Sequence, residues 1–67
     1  MAQRPTERQL RALRKIQRAE EGRQTFVNSA DAEECEDRGW VEAQPGGGYR
    51  LTDQGRRILR EYPEERA

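Results

Sequence analysis

Apolar residues fall at helical spacing through the first third of the chain. Leu10, Ala12, Leu13, Ile16 and Ala19 lie on one arc at about 100° per residue. Thr6 suits an N-cap, Gln9 stands where a capping box places its partner, and Glu7 suits the positive end of the helix dipole. Gly22 supplies the stop, so a first helix is predicted over about Glu7 to Glu21. The period then changes. Gln24-Thr25-Phe26-Val27 is β-prone and predicts a short edge strand. Asn28 or Ser29 caps a second helix, with Asp31 and Glu33 in its first turn. That helix reaches about Arg38, stops at Gly39, and offers the core a narrow face of Ala32 and Cys35.

Trp40 to Ala43 reads as a strand, Pro45-Gly46-Gly47-Gly48 as a loop, and Tyr49 to Leu51 as the returning strand of a hairpin. Thr52 caps a third helix from about Asp53 to Tyr62, which Pro63 stops. Gly55, Ile58, Leu59 and Tyr62 share one of its faces. The predicted order is helix, short strand, helix, hairpin, helix. This is the α+β class, expected as one domain over 1–67 with frayed ends at about 1–5 and 64–67. Beyond alanine, the candidate core is Leu10, Leu13, Ile16, Phe26, Val27, Cys35, Trp40, Val41, Tyr49, Leu51, Ile58, Leu59 and Tyr62. So small a core predicts marginal stability.

Composition narrows the functional classes. The single cysteine excludes an internal disulfide, and histidine is absent. A nucleophilic triad lacks its usual base, and an ordinary zinc site lacks its three or four ligands. The Gly46-Gly47-Gly48 run lacks the lysine and hydroxyl residue of a phosphate-binding loop. No enzyme, metal or cofactor is expected, and no small-molecule ligand is evident. No apolar run approaches a membrane span or a signal-peptide core, so the expected location is cytoplasmic with no membrane partner.

Net charge is zero, but charge is unevenly distributed. Residues 1–24 carry seven basic and three acidic groups, residues 25–48 one basic and six acidic, and residues 49–67 five basic and four acidic. Arg8, Arg11, Lys15 and Arg18, at spacings of 3, 4 and 3, form a stripe almost opposite the apolar arc, with Arg14 at its border. Arg56, Arg57 and Arg60 form a second basic patch on the third helix. Each patch is either an electrostatic footprint for phosphates or an ordinary solvated face. Glu33, Glu34, Glu36 and Asp37 cover the outward face of the second helix, either as a docking surface or as a solvated face.

The stretch Glu34 to Leu59 resembles the second half of a winged-helix DNA-binding domain. The resemblance rests on Cys35-Glu36-Asp37-Arg38-Gly39-Trp40-Val41-Glu42, then Tyr49-Arg50-Leu51-Thr52-Asp53-Gln54-Gly55, then Ile58-Leu59. It implies that a helix ends at Gly39, that an apolar pair starts a wing hairpin, and that a Leu-Thr-x-x-Gly element caps the helix that follows. Gly55 would let helix and sheet approach closely. The family places two helices between its first helix and the wing, whereas this chain has room for one. The helix-turn-helix is incomplete or replaced by the strand at Phe26.

Two readings of function follow. The first is a non-enzymatic winged-helix-like protein, nucleic-acid-binding or transcription-associated, that contacts phosphates through Arg8, Arg11, Lys15, Arg18, Arg56, Arg57 and Arg60. The second is a protein–protein adaptor or homodimer, whose acidic second helix meets a basic partner or a second copy. The wing resemblance ranks the first ahead.

Overall fold

The computed structural model describes residues 4–23 and 26–63. Among the described residues are three helices, α1 (Glu7–Glu20), α2 (Ser29–Asp37) and α3 (Asp53–Glu61), and two strands, β1 (Val41–Ala43) and β2 (Tyr49–Leu51). The strands pair antiparallel, with Val41 opposite Leu51, Glu42 opposite Arg50 and Ala43 opposite Tyr49. The α+β class and the predicted hairpin are both present. The expected frayed ends lie mostly outside the described residues.

Each helix starts where its cap predicts. The Thr6 hydroxyl accepts from the Gln9 amide at 3.1 Å, and the Gln9 side-chain carbonyl accepts from the Thr6 amide at 3.0 Å, closing a capping box. The Asn28 side chain accepts from the Ala30 amide at 2.8 Å, and the Thr52 hydroxyl from the Gly55 amide at 3.2 Å. Helix α2 ends in a Schellman motif. The Gly39 amide donates to the Glu36 carbonyl and the Trp40 amide to the Cys35 carbonyl. Gly39 supplies the left-handed residue this ending needs, at φ +80°.

The core lies where α1, α2 and the hairpin meet. Ala12, Leu13 and Ile16 of α1 pack with Cys35, Trp40, Val41 and Leu51. Leu10 and Ala32 are also buried. Val27, Tyr49, Ile58 and Leu59 cover this cluster from outside and are half-buried. Tyr62, read from sequence as core, is also half-buried.

The predicted strand at 24–27 is corrected. Its first two residues, Gln24 and Thr25, lie outside the described residues. Phe26 and Val27 are irregular chain, and β1 and β2 pair only with each other. Phe26 is also removed from the core, since it is 78% exposed. The reason is local. Val27 packs on the core and Asn28 is fixed as the cap of α2, so the chain is tied down on one side and the preceding side chain faces out.

Helix α3 meets the hairpin without a spacer. A Cβ on Gly55 would overlap the carbonyl oxygen of Trp40 and lie 3.3 Å from Leu51 Cδ2. Alanine favours a helix interior by about 1 kcal/mol over glycine. Overpacking against backbone costs about 1–3 kcal/mol, and here the neighbour is a carbonyl that already accepts a hydrogen bond. Gly55→Ala should therefore lower stability in urea unfolding, and a more stable variant would show that α3 can move off the hairpin. Leu13 and Ile16 are 0% and 1% exposed. Leu13→Ala or Ile16→Ala should cost about 2–5 kcal/mol. A loss of that size rivals the whole stability of a small domain. Unchanged thermal unfolding would mean that α1 contributes little to the core.

Candidate nucleic-acid interface

Helix α1 buries one side and turns its basic side outward. Leu10, Leu13 and Ile16 face the core, so Arg11, Lys15 and Arg18 emerge on the opposite side. Arg11, Arg14, Lys15 and Arg18 line an open groove of about 700 Å³. Its far wall is the end of α3, with Glu61, Tyr62 and Pro63. Arg14, a border residue in the sequence pattern, is fixed there because its guanidinium donates to the Tyr62 carbonyl at 3.1 Å. The groove thus holds four cations beside an aromatic ring, with Glu7 and Glu61 as its acids.

The remaining basic residues are placed differently. Arg8 is paired with Asp31 of α2 at 3.9 Å, but its side chain is 71% exposed, so this pair is weak. Arg56 donates to Glu20 at 2.9 Å and so serves the junction of α1 and α3. Arg57 and Arg60 are exposed and, among the described residues, neither has an ion partner. The α3 wall of the groove is built from the helix end, not from these two arginines. The structure gathers Arg11, Lys15 and Arg18 with Arg14, and leaves Arg8 and the α3 patch outside that groove.

Glu33, Glu34, Glu36 and Asp37 are all exposed on α2. Glu34 accepts from the Gln9 side-chain amide at 3.3 Å. A duplex groove is walled by phosphates, so this face repels it. Among the described residues, no group of three or more metal-ligating side chains stands together. No helix among them is long and apolar enough to cross a membrane.

Glu20, and Gln9 beyond its place in the capping box, carry structural roles that the sequence reading does not assign. Glu20 accepts from the Leu51 amide on the outer edge of β2 with one carboxylate oxygen, and from Arg56 with the other. Gln9 is buried and joins the α1 cap to α2. Their signal was present in the spacing. Gln9, Leu13, Ile16 and Glu20 follow at 4, 3 and 4, so both polar residues lie on the apolar line.

No family model, curated protein or solved structure matches this chain.

Cys35 is fully buried, and its thiol lies 3.7 Å from the Gln9 carbonyl oxygen. Burial, reinforced by the Glu34 and Asp31 carboxylates, raises its pKa from 9.0 to about 11, with Arg38 opposing. The folded state therefore holds the thiol proton to higher pH than the unfolded chain does. The associated stability is complete below about pH 9 and is lost as pH rises through about 11. The fall in stability between these pH values should be shallower in Cys35→Ala than in the parent, measured by urea unfolding at each pH. Parallel curves would show that Cys35 ionisation does not contribute.

Proposed function

We propose that this chain is a small non-enzymatic, winged-helix-like nucleic-acid-binding domain that docks on phosphates through the outward face of α1. The observation that carries this reading is the groove lined by Arg11, Arg14, Lys15 and Arg18. Four cations facing one concavity suit a polyanion. Arginine's planar fork adds bidentate geometry toward phosphate. The winged-helix likeness is supported by the helix ending at Gly39, the hairpin, and Thr52 and Gly55 at the start of α3. Helix α2 occupies the place of a recognition helix but carries an acidic face, so it stays out of the major groove. Binding is sequence-independent and electrostatic, and the working location is the cytoplasm.

A second reading keeps one observation of its own. Glu33, Glu36 and Asp37 are exposed on a single short helix. Such a face fits a basic protein partner or the basic face of a second copy. In that case the domain is an adaptor or a homodimer.

Titration against a random duplex at several salt concentrations separates the two. Three or four phosphate contacts give a log–log salt slope of roughly −3, at about −0.9 per contact. Arg11→Glu combined with Lys15→Glu should remove most binding. No binding at low salt, or equal binding by the variant, transfers the case to the adaptor reading.

A further inference from the structure

Phe26 is the one large hydrophobic side chain among the described residues that is left in solvent, at 78% exposure. Its position is imposed by the fold, because Val27 next to it is anchored on the core and Asn28 caps α2. Val27 and Asn28 also form one wall of a small notch of about 200 Å³, whose other wall is Arg8, Arg11 and Lys15 of α1. Asp31 lies in the notch and pairs with Arg8. Arg11 and Lys15 have no ion partner among the described residues. The same two cations line the larger groove along α1. The notch is smaller than the roughly 300–1,000 Å³ of small-molecule sites, so it takes a group of a ligand rather than a whole one.

We infer that the preferred ligand is single-stranded nucleic acid, with a backbone phosphate in the notch at Arg11 and Lys15 and an unpaired base stacked on Phe26. This rests on the phosphate-binding reading of α1 and narrows it. An aromatic face beside a cationic track is how single strands are held without sequence preference. A duplex offers its phosphates to such a track but keeps its bases stacked on one another, so it gains nothing from Phe26. Phe26 directly precedes Val27, a residue of the notch wall, so its Cα is about 3.8 Å from that of Val27 and its ring is within a side chain's length of the notch. Leaving a phenylalanine in water forgoes burial that the core would otherwise gain. A stacked base covers that surface.

The test is fluorescence anisotropy at low salt with labelled oligothymidine and with a duplex of equal length. The parent, Phe26→Ala, Phe26→Trp, and the Arg11→Glu, Lys15→Glu pair are compared. The parent should bind the single strand more tightly than the duplex. Phe26→Ala should weaken single-strand binding roughly 5- to 100-fold and change duplex binding less than about twofold. Phe26→Trp should retain binding, and its added indole emission should be quenched by the single strand. Thermal unfolding of both Phe26 variants should match the parent, since the side chain is exposed. If Phe26→Ala binds the single strand as the parent does while the charge-reversal pair loses both ligands, the stacking inference is overturned and the phosphate reading stands. If the parent binds neither ligand, both fail. If Phe26→Ala leaves binding unchanged but turns a dimer into a monomer in light scattering, Phe26 belongs to a contact between copies.

Discussion

The carbonyl of Trp40 accepts the Thr52 amide at 2.9 Å and lies directly against the Cα of Gly55. Three residues, and through them four elements, are fixed by this one contact. Trp40 is the residue where α2 gives way to β1, Thr52 is the residue where β2 gives way to α3, and Gly55 is in the first turn of α3. The Thr52 hydroxyl reinforces the joint by donating to the Gly39 carbonyl at 2.6 Å while it accepts from the Gly55 amide. One threonine thus caps a helix, closes a hairpin and ties down the exit of another helix. The constraint is steric as much as polar, since any side chain at Gly55 pushes α3 off the sheet. Where α3 sits then decides where its end meets α1, and therefore whether a groove exists at all.

Helix α1 is held at both ends by polar residues on its inward line. Gln9 reaches α2 through Glu34, and Glu20 reaches β2 and Arg56 of α3. Between them Leu13 and Ile16 supply the buried centre. This arrangement lets a short helix organise the rest of the chain with few apolar residues. It also explains the second basic patch. Arg56 is drawn to Glu20, and the edge amide of Leu51, open to another strand in an unprotected hairpin, is occupied by the same carboxylate. Outward, helix α1 carries no such duty, which leaves Arg11 and Lys15 facing solvent.

The elements were legible because their start and stop signals are local. Thr6 with Gln9, Asn28, Thr52, Gly22 and Gly39 each act over fewer than six residues, so propensity and geometry agree. The need for a glycine at Gly55 was legible too, through the pattern of Leu51-Thr52 followed by it. The stretch at Phe26 departs from expectation because β-branched and aromatic content measures fitness for a pleated surface, and among the described residues no third strand supplies one. The groove and the notch were only half legible. Periodicity put the cations on one face of α1, but the opposing walls come from Tyr62 in one case and from Val27 and Asn28 in the other. Those meetings are tertiary. So is the choice that Arg56 serves Glu20 while Arg57 and Arg60 stay in solvent.

The separation of charge sets the character of any encounter. Helices α1 and α2 pack against each other through apolar faces, so a basic outward face and an acidic outward face belong to one small body of zero net charge. A neutral molecule gains no long-range attraction toward a polyanion. What it has is a dipole between the two faces, which favours approach of a polyanion to the basic one. At physiological salt the field of either face fades within about 8 Å. If the proposed nucleic-acid reading holds, recognition is decided at contact range, where the fit of the α1 groove matters more than steering. On the nucleic-acid reading, selectivity would then rest on what lies within reach of Arg11 and Lys15.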